Sequence, residues 1–480
     1  VNLFCRRTNF KDSHQSHLSR KQTLQPLSET QSHVETQRGR LLQVLGVVFG
    51  IAVTVGITIG MGILRTPGVV ATQLPNVWLF MGVWVLGGLY ALFGAISVAE
   101  LGTMLPRSGG FYIFARHALG EYAGFIVGWS DWISTCGTLA AVALVIGEYT
   151  GTLVPRLEGR ATWIALAVVI GFAVLQWRGV RWGSRTQSLT SALKTLAFLA
   201  LIVACFILGG GNSTVTTETA ATSATTALQV PTGLMFWTAL VVALQGVIYT
   251  YDGWYSLVYF GEEVRDAGRS VPRAMIGSVL LVIGIYLVLN LALLYVLPLS
   301  EIAGDKLAVG RAAQEIFGVR GKFIISALAI LSMLAAINGN TLAAPRIIYA
   351  MSCDELFWRQ ASKVNRGGTP TVSLLTSTAM VVLMIIFSGT FERLLAALAF
   401  FFVVNYSMSF LSVFVLRRRE PERARPYRAW GYPITTGLAL AGSIAFLFGA
   451  VTSDTANSIF ALILLAVSYP AFILLKFKRR

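Results

Sequence analysis

Apolar residues in this chain come in long unbroken runs, without the alternation of a half-buried strand or the one-sided stripe of a surface helix. Runs of about 20 residues cover 42–72, 77–99, 124–151, 161–177, 187–210, 234–260, 274–297, 322–352, 371–388, 392–416, 432–452 and 456–476. Each is long enough to cross a bilayer with its backbone hydrogen bonds closed inside a helix. The pattern predicts an all-α polytopic membrane protein with 12 transmembrane helices. Runs 42–72 and 322–352 exceed the bilayer and predict a tilt, a break or an extension beyond the lipid.

Two polar stretches punctuate the runs. "GGGNSTVTTETAATSATTALQVPTG" (209–233) has no Lys or Arg and reads as an exterior loop, whereas "RRREPERARPYRAW" (417–430) reads as a basic interior loop. The expected organisation is therefore a disordered tail (1–41), five spans (42–210), an exterior loop (211–233) and five spans (234–416). A basic loop (417–431), two spans (432–476) and a short tail (477–480) follow. An odd number of spans per half means that two similar halves must be inverted relative to each other.

The first span of each half carries the same anomaly. "GITIGMGILRTPG" (56–68) places Gly56, Gly60, Gly62, Gly68 and Pro67 inside a span, and "QGVIYTYDGWYS" (245–256) places polar residues and glycines at mid-membrane. Paired interruptions at corresponding places in two halves point to a transporter's binding site. An unwound segment leaves backbone groups unpaired at a few kcal/mol each, so it persists only where it is buried or lines a wet cavity. N–H groups near Met61, Gly62 and Ile63, at the start of the outer half-helix, would face a carboxylate. Carbonyls around Ile57 and from Tyr249 to Tyr251 would face an ammonium. Helix packing is the alternative for the first span alone, since "GITIG" is itself a GxxxG.

Charge then fixes sidedness. Composition is 55% hydrophobic and 12% charged, with a formal net charge of +16. Of the Lys and Arg, seven lie in 1–41, six in 417–428 and four in 476–480, with two or three in each further loop on that side. The opposite side holds seven in all, so both termini are expected to be cytoplasmic, in the plasma (inner) membrane. This spread over every loop fits attraction to anionic membrane lipid and argues against nucleic acid as a partner. Four widely spaced cysteines make neither a disulfide framework nor a metal site, and no cofactor is expected. HExxH, GxSxG and a Cys/His pair are all missing, so the chain is not read as an enzyme.

Further motifs carry a resemblance: "IGMGI" (59–63), "AELGTMLPRSGGFYIFARHALGEYAGFIVGW" (99–129), "TSALKTLAFLALI" (190–202), "YDGWYSLVYFGEEVRDAGRSVPRAM" (251–275) and "NGNTLAAPRIIYAMSCDELF" (338–357). In this order they resemble the amino acid–polyamine–organocation permeases, closest to the L-type amino acid transporter branch and its bacterial relatives. The resemblance implies a leucine-transporter-type fold with a 5+5 inverted repeat, discontinuous helices one and six, and alternating access around a mid-membrane site. It places the substrate carboxylate on amides of Gly60, Met61, Gly62 and Ile63. The ammonium falls on Tyr249, Thr250 and Tyr251 beside Gly253, with Tyr249 as an aromatic gate. Met61 departs from the Ser or Thr usual there.

The resemblance also implies that Lys194 stands in for a sodium ion, with Ser332 as its partner from span eight, and hence sodium independence. Snorkelling to the membrane face is the other reading of Lys194. Asp131 either carries a proton or pairs with an arginine or a helix end, and Asp252 orients freed N–H groups of the sixth span. Arg65 suggests an ion pair near the outer vestibule, and Glu100, Arg107, Glu262, Glu263 and Arg346 suggest salt bridges at the cytoplasmic mouth. The expected function is secondary transport of an amino acid substrate, by exchange or with a proton. A polyamine or cationic amine carrier and a non-transporting sensor are the competitors. Animal L-type transporters link to a glycoprotein through a cysteine after span three, and "TLVPRLEGRATW" (152–163) has none, so no disulfide-linked partner is expected.

Overall fold

The chain is seen in a computed structural model, which describes residues 41–209, 230–387, 391–453 and 455–477. The expected tails at 1–41 and 477–480 and the expected loop at 211–233 fall almost entirely outside these residues. Among the described residues all regular structure is helical, and the only β-type pairings are isolated bridges.

The first run splits into α1 (Val47–Thr58) and α2 (Gly62–Gln73). There follow α3 (Val77–Met104), α4 (Phe111–Leu119), α5 (Glu121–Leu153), α6 (Ala161–Trp177) and α7 (Val180–Leu208). The next group is α8 (Leu234–Thr250), α9 (Ala267–Val296), α10 (Leu299–Ile302), α11 (Ala308–Phe317) and α12 (Val319–Cys353). Last come α13 (Thr371–Phe387), α14 (Phe391–Arg419), α15 (Ile434–Ser453) and α16 (Thr455–Phe477). Seven of these, α3, α5, α7, α9, α12, α14 and α15, are long and apolar enough to cross a membrane, and the bent pair α1–α2 passes as one span. Shorter apolar helices α6, α8, α13 and the 461–474 part of α16 occupy the remaining predicted runs.

Local chemistry sets the ends. The Asn76 side chain caps α3 by accepting from the N–H groups of Trp78 and Leu79, at 3.0 and 3.2 Å. Gly120, at φ +102, turns the chain from α4 into α5, a backbone conformation that a side chain would strain. Two boundaries differ from expectation. Helix α7 begins at Val180, well before 187, because "VRWGSRTQ" continues the helix outside the apolar run. Helix α8 stops at Thr250, the rest of its run holds a 3₁₀ turn at Ser256–Tyr259, and a second turn follows at Gly261–Glu263. The short helices α4, α10 and α11 lie between runs and leave no mark in a scan for spans.

Packing sets the frame of the site. Helix α1 lies among α7, α9 and α12, while α2 lies on α8; α3 packs along α9 and α5 along α12. The basic segments converge at one end. There Leu45 N–H donates to Glu263 O at 2.9 Å and Arg265 N–H to Leu45 O at 2.8 Å, tying the chain before α1 to the turns after α8. Val180 N–H donates to Gly367 O at 3.0 Å at the same end. Buried Glu100 of α3 accepts from Arg417 at 2.5 and 2.9 Å and from Ala429 N–H at 2.7 Å, which straps the loop after α14 beneath α3. Removing one partner of such a buried pair costs about 3–5 kcal/mol. Trp78, Trp163 and Trp237 stay exposed, as interface anchors do.

Candidate functional site

The two interruptions face each other. Helix α1 ends at Thr58, Ile59 turns extended at φ −76 and ψ 91, and α2 restarts at Gly62 with a 48° change of direction. Each break uses a glycine to admit the other. A Cβ on Gly62 would stand 2.9 Å from Thr250 Oγ1 and 3.1 Å from Thr250 Cα. A Cβ on Gly253, which sits at φ +105, would stand 2.8 Å from the Ile57 side chain and 3.0 Å from the Thr58 nitrogen. Thr66 and Thr250 share a hydroxyl hydrogen bond of 2.7 Å that pins α2 to α8. Close approach of the two breaks accounts for Gly62 and Gly253, whereas Gly56 of the GxxxG lets Gln187 and Ser191 of α7 pack against α1.

Helix α2 opens without a side-chain cap, since Met61 occupies the N-cap position and its apolar side chain is buried. Gly60 has only the carbonyls of Ile57 and Thr58 near its missing side chain, at 3.9 and 4.0 Å. The amides at 60–63 thus begin a helix, with open space beside Gly60 at the positive end of its dipole. Ile57, Gly60, Gly62, Tyr249 and Asp252 are each partly exposed, although they sit amid buried neighbours.

On the carbonyl side the structure supplies donors from three other helices. Lys194 is fully buried at the middle of α7, and its Nζ donates to Gly56 O at 2.7 Å and Ile59 O at 2.5 Å. Snorkelling is therefore excluded. Ser332 of α12 donates to the same Ile59 carbonyl at 2.7 Å. It meets Lys194 through a shared acceptor, where direct contact was expected, because Ile59 O projects between α7 and α12. Tyr286 of α9 was not foreseen. Its hydroxyl lies 2.9 Å from Thr58 O and 3.0 Å from Thr250 O, the last carbonyls of α1 and α8. Each hydrogen bond from an ammonium to an orphan carbonyl is worth about 1.5–3 kcal/mol.

Tyr251 is buried, edge-on to Trp84 and tilted against Tyr286, so of its groups only the backbone can serve a ligand. Asp252 accepts from the Tyr406 and Tyr255 hydroxyls and from Gly253 N–H, which adds two phenols to the expected backbone role. Asp131 lies apart from the breaks. It is fully buried on α5 and accepts from Tyr259 at 2.8 Å through Oδ1, while Oδ2 has no partner. No arginine reaches it, so the expected alternative of an Arg pair is not realised. Arg65 hydrogen-bonds to Tyr149 of α5.

The expected salt bridges gather at the basic end. Arg346 makes a two-pronged pair with Glu263, both buried. Arg107 and Arg116 meet Asp354 at 3.1 and 3.0 Å, and Tyr112 donates to the same carboxylate at 3.0 Å. Glu100 takes Arg417 and Arg425. Among the described residues no cluster of His, Cys, Asp and Glu is suited to hold a metal. The residues missed from sequence are mostly tyrosines: Tyr255, Tyr259, Tyr286 and Tyr406. Their signal was present as polar hydroxyls inside otherwise apolar runs, with Tyr286 and Tyr406 well away from the run ends.

This arrangement of paired breaks and a buried lysine is matched by similarity across nearly the whole chain. A family model described as amino acid permease matches residues 41–469. The serine/threonine exchanger SteT of Bacillus subtilis is 29% identical over 431 residues, covering 88% of this chain and 94% of that protein. The human b(0,+)-type amino acid transporter 1 is 26% identical, covering 83% of this chain and 82% of its own length. The mouse large neutral amino acids transporter small subunit 2 is also 26% identical, covering 87% and 82%. These relatives are membrane transporters and not enzymes, and the chain belongs to the amino acid permease family of the amino acid–polyamine–organocation superfamily, near its L-type branch.

Proposed function

We propose that the protein carries amino acids across the plasma membrane by alternating access, without sodium, by exchange or together with a proton. The observation that carries this reading is the apposition of the two breaks, with uncapped amides on one side and helix-end carbonyls on the other. The substrate carboxylate would bind amides of Gly60, Met61, Gly62 and Ile63. Its ammonium would bind carbonyls at the ends of α1 and α8, near Ile57 and from Tyr249 to Tyr251, beside Gly253. Partly exposed Tyr249 would close over the substrate as a gate.

Sodium independence is supported by Lys194, whose ammonium occupies the carbonyls of Gly56 and Ile59 where a cation would otherwise sit. In this reading twelve spans form two inverted five-helix repeats, with α1–α2 answering α8 and its turns, and α15 and α16 added. Convergence of the basic segments at one end supports a cytoplasmic location for that end and for both termini. A polyamine would need free carboxylates in the site, and Asp252 is already engaged by two phenols. The loop between α5 and α6 holds no cysteine, so the chain is proposed to work without a disulfide-linked glycoprotein.

Counterflow tests the proposal. Purified protein in sodium-free liposomes loaded with unlabelled amino acids should accumulate a labelled neutral amino acid. Absence of accumulation for every amino acid, with folded protein confirmed, would sink the transport reading and favour a sensor or another substrate class.

A further inference from the structure

A buried chain of hydroxyls and carboxyls runs away from the second break, and the binding of substrate does not use it. It starts at Asp252, within the break and partly exposed. The Tyr255 hydroxyl is hydrogen-bonded to Asp252 and to the Tyr259 hydroxyl. Tyr259 in turn donates to Asp131 Oδ1 at 2.8 Å. The path ends at Asp131 Oδ2, buried without a partner.

Among the described residues, Asp131 has no positive charge beside it. From the turns after α8 it faces Tyr255 and Tyr259, and from the break Asp252, itself held by Tyr406 of α14. Helices α6 and α13 carry no ionisable residue. Helix α12 contributes Tyr349 and Arg346, the latter held by Glu263, and α4 contributes Tyr112 and Arg116, both on Asp354. On α5 itself the next ionisable group is Cys136, which faces Ser377 O. An isolated buried carboxylate costs several kcal/mol, and a proton on Oδ2 removes that cost. Intramembrane carboxyls of this kind mark proton paths in transporters.

We propose that Asp131 is the proton-carrying group of this transporter, loaded through Asp252, Tyr255 and Tyr259, so that net uptake of substrate moves a proton with it. This rests on the transport reading above and selects the proton over pure exchange. The transfer balances as a relay. Asp252 takes a proton from water at the break and passes it to the Tyr255 oxygen. Once Asp252 is protonated, the Tyr255 hydroxyl no longer donates to it and turns its own proton to the Tyr259 oxygen, and Tyr259 gives its own to the Asp131 carboxylate. Both phenols end neutral, Asp252 returns to carboxylate, and Asp131 becomes the acid.

The test uses full-length protein in liposomes holding a trapped pH-sensitive dye, read alongside counterflow of a labelled neutral amino acid. Substrate added outside unloaded wild-type liposomes should acidify the lumen. Asp131→Asn should abolish that acidification while keeping counterflow, and Tyr259→Phe should slow it about tenfold or more. If Asp131→Asn does not fold, Tyr259→Phe decides by the same readout. Counterflow without acidification in wild type, or acidification unchanged in the variants, overturns the relay and leaves exchange standing. Loss of counterflow in wild type overturns both.

Discussion

The two breaks solve one problem in two ways. In the first, α-helix resumes after three residues, and the carbonyls left over are taken by side chains from distant helices: Lys194, Ser332 and Tyr286. In the second, α-helix does not resume; although Tyr286 reaches Thr250 O and Tyr406 reaches Asp252, the chain continues in 3₁₀ turns whose backbone hydrogen bonds are local, such as Ser256 N–H to Gly253 O at 3.0 Å. A break satisfied from outside depends on the neighbours staying in place. One satisfied by its own turns depends on its backbone angles. The first is thus suited to respond when helices move, and the second to hold its shape while they do.

The contrast can be broken most forcefully at Gly253. Gly253→Ala combines a strained φ of +105 with contacts of 2.8 and 3.0 Å to Ile57 and Thr58. It should destabilise the protein by about 2–4 kcal/mol, read as a drop in unfolding temperature in detergent. An unchanged temperature would mean that the second break does not depend on its backbone angles. Next in size is Lys194→Ala, which strips the donor from Gly56 O and leaves Ile59 O to Ser332 alone. Counterflow should fall about tenfold or more, and stability by about 1–3 kcal/mol. Counterflow at the wild-type rate would remove α7 from the working of the first break.

Gly60→Ala sharpens the comparison from the other direction. Nothing beyond local carbonyls stands near this position, so unfolding temperature should stay constant while the substrate KM for exchange rises about three- to tenfold. The smallest effect lies outside the membrane, at Glu420. Burial pushes its carboxyl up, but hydrogen bonds from Arg423 and His117 outweigh that and hold it below the usual carboxylate range. A depressed value means that the stabilisation is present above the unfolded pKa and lost as pH falls through the folded one. Glu420→Gln should therefore lower unfolding temperature slightly at neutral pH, with the gap closing in acid.

Much of this was legible because membrane helices announce themselves by length and apolarity. All twelve runs carry a helix, and the first break falls where Gly60 and Gly62 predict it. Lys194 was legible as a functional candidate because an ammonium in a span needs an explanation. Its depth was not, since the polar turn at 180–187 hid the true start of α7. The extent of the second break was hidden too: 251–260 is apolar and aromatic enough to read as helix, and only Gly253 and Asp252 argue otherwise. Tyr286 and Tyr259 escaped notice for a different reason. A tyrosine is common in spans, and which carbonyl or carboxylate its hydroxyl meets depends on residues far apart in sequence.

Tyr286 leaves a matter of arithmetic. Its phenol owns a single hydrogen, yet it stands between the two carbonyls that end α1 and α8, Thr58 O and Thr250 O. At any instant one of the two oxygens goes without. The α-ammonium of the substrate proposed above would bring three hydrogens to a place that is short of one. Occupancy would complete the count at both ends together, so a filled transporter and an empty one differ in whether the ends of α1 and α8 must compete for the same atom.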